Sequence, residues 1–490
     1  MFSQTFTINP VGQGFFYTGD IRTGSGQNTF RFVFDCGSFN KANCLEEVNC
    51  FRESGLTDSH ELDLLIISHF DADHINHIGK LLEGNIKVKK LVMPFITFEE
   101  RLFLVLRLLS PFNGQSFTND DFPVRFIIDP IGTLSGNLGD DSEIFLIEGG
   151  PLPLSGMSTK ENENSEEISK SLEEEKLSFS FDASEQLESD DITNLIIGSK
   201  KVESIFKVKD DRHGRLGYAN FYLHIMEFVF YKRSLGDNEI EFYKKVRQKF
   251  CEDYSINDCP DQEIFLNKVI EKVKRITSGR LIREIFKESA EGIEIQTRGR
   301  AINDLNTTSL CLLHINNKQF IRSLIRRQRR PLDVESNVKF LQKPDGNRAT
   351  YFTIPAWKYY EPRRGSIFLP NRGIQNRRFP NTLLTSDCFL SEQIEVDDFY
   401  NKFSSYWGDF WLLQVPHHGS KRSSGRVLFS KIHLFLNLFI NYGVKKEWRG
   451  KWRHPSSETI MSLTETGHSS ELIPVNEFIG IQCKFEISSF

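Results

Sequence analysis

Residues Ser68–Gly79 read SHFDADHINHIG and follow the apolar run Leu62–Ile67, which only Asp63 interrupts. Three histidines and two aspartates fall between His69 and His77. A strand that ends at His69 puts the next turn at a sheet edge, where side chains converge on an ion without entering the core. His69, Asp71 and Asp73 alternate, whereas Asp73 and His74 are neighbours whose side chains diverge, so one loop can serve two adjacent metals. Imidazole and carboxylate ligands suit zinc, manganese or iron. The competing reading is a solvated helix N-terminus with capping aspartates.

Two distant stretches answer this loop. FWLLQVPHHGS puts His417 and His418 after a strand-like run from Phe410, and LLTSD puts Asp387 at the end of another. Taken singly, Asp387 reads as a turn residue and the histidine pair as core or cap residues. Imidazoles and carboxylates at three strand ends are what a shared binuclear site needs.

The remaining composition narrows the class. The chain has 490 residues, 61 Lys+Arg against 66 Asp+Glu and a net charge of -5, so any basic surface is local. Nothing near Met1 resembles a secretory signal. The longest apolar run, Ile432–Val444, is broken by Asn437 and Asn441 and is too short for a bilayer. Eight cysteines without a CxxC spacing form neither a zinc-finger pattern nor a disulfide framework. A reducing cytoplasm is the expected compartment, and no membrane is expected as a partner.

Strands are expected over Thr29–Asp35, Leu62–Ser68, Val88–Ile96 and Val124–Asp129, with a helix from His74 to Leu82, giving an α/β arrangement. Glu161–Asp191 carries twelve acidic residues against Lys170 and Lys176 and reads as a disordered or loosely packed linker. Helical spacing then marks Asp237–Phe250 and Gln262–Ile276. Strand-like runs return at Thr308–His314, Asn381–Thr385 and Phe410–Val415. Lys318–Arg378 holds fifteen Lys/Arg against four acidic residues. The expected division is 1–150, the first half of a catalytic domain; 151–200, an acidic linker; 201–300, a helical insert; and 301–490, the second half, with a basic insertion over 318–378.

Together VGQGFFY (Val11–Tyr17), FVFDCGS (Phe32–Ser38), LLIISHFDADHIN (Leu64–Asn76), NTTSLCLL (Asn306–Leu313), LLTSD (Leu383–Asp387), VPHHGS (Val415–Ser420) and RHPS (Arg453–Ser456) resemble the metallo-β-lactamase-fold hydrolases. The resemblance is closest to the hydrolase domain of the competence DNA-uptake channel and its soluble relatives. It implies a four-layer αββα sandwich, an α/β fold whose two halves meet at the metals. His69 and Asp71 would hold one of two divalent ions, zinc or manganese. Asp73 and His74 would hold the other, completed by His418 in preference to His417, and Asp387 would bridge. Asp73 would also orient the attacking water, and His454 would contact substrate or donate a proton. Asp35 and Gly37 would support the ligand loops. The family usually has glycine where this chain has Ser386 and His77; His77 is therefore read as a supporting residue with a ligand role as the alternative. A separate third histidine for the first metal has no evident counterpart, His224 being the one candidate and reading better as core.

Paired cations suit hydrolysis of phosphodiesters, amides and thioesters alike. IRSLIRRQRR and WKYYEPRRGS, with Arg326, Arg327, Arg329, Arg330, Trp357, Arg363 and Arg364, combine guanidinium and aromatic groups as single-stranded nucleic-acid grooves do. The expected function is a phosphodiesterase or nuclease acting on DNA or RNA. Two other readings stand beside it: a partner-binding subunit of a multi-protein bacterial defence system, docking through the helical insert, and a small-molecule hydrolase acting on a nucleotide, ester or lactam.

Overall fold

The computed structural model describes residues 2–24, 28–109, 121–149, 176–182, 184–186, 204–210, 212–218, 224–256, 264–265, 268–269, 271–272, 279–291, 293, 309–327, 332–342, 350–360, 380–432, 436–444, 454–468 and 472–489. They form two large sheets flanked by helices. Across the first sheet the order is β14 (Thr350–Tyr360), β13 (Leu332–Gln342), β19 (Ile479–Ser489), β1 (Phe2–Ile8), β2 (Gly14–Thr23), β3 (Asn28–Ser38), β4 (Glu61–Ile66), β5 (Lys87–Pro94), β6 (Leu138–Glu148), β9 (Ile205–Lys209) and β8 (Glu185–Gln186). Across the second it is β18 (Leu472–Val475), β17 (Asn437–Asn441), β16 (Leu412–Gln414), β15 (Thr382–Leu384), β12 (Cys311–Asn316), β11 (Met226–Tyr231), β10 (His213–Tyr218) and β7 (Leu177–Phe181).

Each sheet has a parallel part, from β3 to β9 in the first and from β15 to β18 in the second. Parallel strands are buried on both faces and read as continuous apolar runs. β4 shows this: Leu64 and Ile66 face a core shared with Phe228, Leu312, Leu384 and Leu412 of the second sheet. Leu62 and Leu65 face the opposite way, onto helices α1 (Lys41–Phe51), α4 (Phe98–Leu109), α5 (Phe122–Ile128), α6 (Asp237–Asp253) and α7 (Gly279–Ser289). A third core joins the outer face of the second sheet to α9 (Gln393–Lys402), α10 (Arg426–Lys431) and α11 (Ser457–Glu465). No described helix is long and apolar enough to cross a membrane.

Several expectations need correction. Val124–Asp129 is not a strand: Phe122–Ile128 is helical, with proline in its first turn and Phe122 stacked on Phe126 one turn later at 5.6 Å. Part of the expected acidic linker is a strand. In LSFSF (Leu177–Phe181), Leu177 and Phe179 are buried between exposed serines, a period of two that the surrounding charge conceals. The expected helical insert begins with β9, β10 and β11, so both sheets draw strands from either side of the proposed boundary at residue 200. His74–Leu82 is two short helices, α2 (Ala72–Ile75) and α3 (Ile78–Leu81), and most of Gln262–Ile276 lies outside the described residues. The described residues of the basic segment form α8 (Lys318–Arg327) and the antiparallel pair β13 and β14.

Candidate metal centre

The carboxyl ends of the parallel strands meet at one place, the end where open α/β sheets present ligand-binding loops. Beyond β4, Ser68 donates its N–H to Asp35 Oδ1 at 2.7 Å and its hydroxyl to Asp35 Oδ2 at 2.5 Å. α2 then begins just after Asp71 and carries Asp73 and His74 inward. The loop lies directly on β3, so a Cβ at Gly37 would fall 2.6 Å from the His74 carbonyl carbon. From the second sheet Asp387 follows β15, while His417 and His418 follow the parallel neighbour β16. Among the described residues seven non-glycine positions have positive φ, and Asp35, Ser386, His417 and His418 are four of them. Strained backbone of this kind concentrates where the fold must aim particular side chains.

The imidazoles converge on Asp387. Its Oδ2 lies 3.8 Å from His69 Nε2 and 3.5 Å from His417 Nε2, and its Oδ1 lies 3.5 Å from His74 Nε2 and 3.7 Å from His418 Nε2. His418 Nε2 is 3.5 Å from Asp73 Oδ2, and His69 Nε2 is 3.9 Å from Asp71 Oδ2. These spacings exceed a hydrogen bond. They match two ligands each about 2.1 Å from one tetrahedral ion, which sit about 3.4 Å apart. Among the described residues, the buried Nε2 atoms of His69, His74 and His418 have no hydrogen-bond partner. Asp73 with His74 and His418, and His69 with Asp71 and Asp387, each bring three ligand atoms within 4.8 Å. The buried groups are thus able to hold metal ions.

The other nitrogen of each ring points away and is bonded. His74 Nδ1 is 2.8 Å from Asp35 Oδ2, His69 Nδ1 is 2.9 Å from Ser68 Oγ, His417 Nδ1 is 2.8 Å from Ser423 Oγ, and His418 Nδ1 is 2.9 Å from the Asn441 carbonyl. With the Ser68 proton committed to Asp35, His69 donates from Nδ1 to Ser68 Oγ. One buried carboxylate therefore sets two rings, His74 directly and His69 through Ser68, and leaves both Nε2 atoms facing inward.

Electrostatics separate the rings. Burial opposes ionisation of Asp387, yet His417, His418 and His74 hold it well below the usual carboxylate range. Burial would lower His74 and His418, but Asp387, with Asp35 for the first and Asp73 for the second, raises both. Burial, with His74 alongside, drives His69 well below its ordinary value. Burial, then His417 and His418, brings His454 down to about 3, so its ring is neutral.

His454 flanks the cluster, its ring 5.8 Å from that of His417, and its buried Nδ1 has no partner among the described residues. His77 does not face Asp387: Nδ1 meets Asn76 Oδ1 at 2.6 Å and Nε2 meets the Lys41 carbonyl at 3.0 Å. His224 bonds Glu227 and Asn317, away from the cluster. Of the expected substrate-binding positions, Arg326, Arg327 and Trp357 lie on described elements. β12 runs antiparallel to β15, so α8, which leaves the far end of β12 with Arg326 and Arg327 in its last turn, starts opposite the Asp387 end of the sheet. Trp357 lies on β14, six strand spacings from β4, roughly 29 Å at ~4.8 Å per strand. Arg329, Arg330, Arg363 and Arg364 lie outside the described residues. A cation not anticipated from sequence does reach the site: Arg107 of α4 pairs through Nη2 with Asp71 Oδ1. Its one signal is a single charge within the apolar run LFLVLRLL (Leu102–Leu109).

No family model and no curated protein matches the chain. One solved structure with similarity is the metallo-β-lactamase fold protein YhfI from Bacillus subtilis, at 19% identity and a TM-score of 0.13, over 19% of this chain and 39% of that one.

Proposed function

We propose that the chain is a metal-dependent hydrolase that cleaves phosphodiesters, with nucleic acid as the substrate class. The observation that carries this is the convergence of four imidazole Nε2 atoms on the two oxygens of Asp387. On this reading the paired sheets and their flanking helices make a four-layer αββα sandwich of the metallo-β-lactamase kind. His69, Asp71 and His417 would hold one divalent ion and Asp73, His74 and His418 the other, with Asp387 shared between the two groups. His417 then fills the third-histidine role that seemed vacant, and both members of the pair are ligands. Such ions supply Lewis-acid charge stabilisation and lower the pKa of water. Asp73 would orient the attacking water. His454, kept neutral by its surroundings, contacts the substrate through a ring N–H and is not the store of a proton. Three carboxylates against two dications leave the centre positive, which favours an anionic ester over a neutral one.

Protein loaded with Mn²⁺ or Zn²⁺ is expected to cut single-stranded DNA, duplex DNA or RNA, and the Asp73→Ala/His74→Ala double variant to have lost that cutting. Unchanged cutting in the double variant would overturn the site. Absence of cleavage of all three nucleic acids and of bis(p-nitrophenyl) phosphate would overturn the hydrolase reading.

A further inference from the structure

We propose that Arg107 is a substrate-recognition residue that binds a phosphoryl oxygen at the mouth of the metal centre, so that the helices packed on α4 set the specificity of the site for phosphate esters. This deepens the phosphodiesterase reading and rests on it.

The guanidinium meets Asp71 Oδ1, while Asp71 Oδ2 faces His69 Nε2 at 3.9 Å, so a single carboxylate separates Arg107 from the cluster. Side chains of both Arg107 and Asp71 keep 18% exposure, which places the pair at the open side. His74 and His418, by contrast, are sealed at 0% and 2%. A cation beside a metal ligand opposes metal binding, because it withdraws charge from the carboxylate and repels the ion. The same cation becomes favourable once an oxyanion lies between it and the metals, the arrangement by which guanidinium groups clamp phosphoryl oxygens. The planar fork suits this task better than an ammonium.

Placement of Arg107 depends on helices outside the ligand loops. Phe103, one turn before Arg107 on α4, packs its ring against Phe242 and Tyr243 of α6, at 5.8 and 5.4 Å, and against Phe286 of α7, at 4.8 Å. Arg247 of α6 bonds Glu99 at the start of α4, at 3.0 Å. The added helices are thereby coupled to the metal mouth through the helix that carries the guanidinium.

The test uses the full chain as wild type, Arg107→Gln and Arg107→Lys. Mn²⁺ binding is followed by electron paramagnetic resonance, and inorganic phosphate binding to the Mn²⁺-loaded protein by calorimetry. KM and kcat are compared for bis(p-nitrophenyl) phosphate and the neutral p-nitrophenyl acetate. For Arg107→Gln, Mn²⁺ binding is expected to be equal or several-fold tighter, phosphate binding at least tenfold weaker, and KM for the diester at least tenfold higher with kcat within about threefold. KM for the acetate is expected to be unchanged, and Arg107→Lys to fall between. Phosphate affinity unchanged in Arg107→Gln, or loss of Mn²⁺ from it, would overturn the proposal and leave Arg107 as a support for Asp71. If the wild type turns over neither ester, the hydrolase reading fails while phosphate binding still decides the role of Arg107.

Discussion

His314 and His74 are both fully buried, both make a side-chain hydrogen bond, and both have a ring nitrogen without a partner among the described residues. His314 lies between the sheets with Nε2 2.5 Å from the Tyr17 hydroxyl and with Phe6 stacked on it at 4.3 Å. No carboxylate is among the causes of its shift, and burial drives it down to about 3. His74 has Asp35 on one side and Asp387 on the other, and these carboxylates raise it against the same burial. A buried imidazole with an unmet nitrogen is thus a packing element in one place and a candidate ligand in the other, and neighbouring carboxylates make the difference.

That contrast can be broken by substitution. His74→Ala is expected to lower hydrolysis at least ~1,000-fold and to remove one equivalent of metal, whereas His314→Phe keeps both ions; turnover and metal content check both. Asp35→Asn leaves every ligand in place but disturbs the Nδ1 partners of two rings, and is expected to weaken metal affinity about 10- to 100-fold by calorimetry. With His74 and His418 raised by the carboxylates they face, protons compete with metal for these rings, so metal affinity is expected to fall as the pH drops and to rise with pH. Metal loading is therefore expected to release protons, measurable by titration in buffers of different ionisation enthalpy. His314→Phe is expected to cost about 1–3 kcal/mol in denaturant unfolding by stranding the Tyr17 hydroxyl, and adding Tyr17→Phe to recover most of that. His77→Ala is expected to change metal content and activity least, since both its nitrogens are engaged elsewhere.

The parts legible in the sequence are those with local signatures. Each candidate ligand follows a short apolar run that is a strand, so β4, β15 and β16 and the convergence of their ends could be anticipated from Leu62–Ser68, Asn381–Thr385 and Phe410–Val415. Orientation was not legible. That His417 and His418 address different oxygens of Asp387 follows from two successive left-handed backbone positions, which no spacing encodes. Arg107 reaches Asp71 only because α4 packs across the sheet. Nor does composition give the start of the basic segment: antiparallel pairing of β12 with β15 begins α8 at the end of the sheet opposite Asp387. β7 was hidden because charge averaged over thirty residues outweighs five alternating ones.

Metal content after equilibration with Mn²⁺ or Zn²⁺ and removal of free ion, measured by mass spectrometry on the wild type and on Asp387→Ala, tests the binuclear centre most directly. Two equivalents in the wild type and no more than one in the variant are predicted. A wild type without bound metal, or an Asp387→Ala variant that keeps both equivalents, would contradict it.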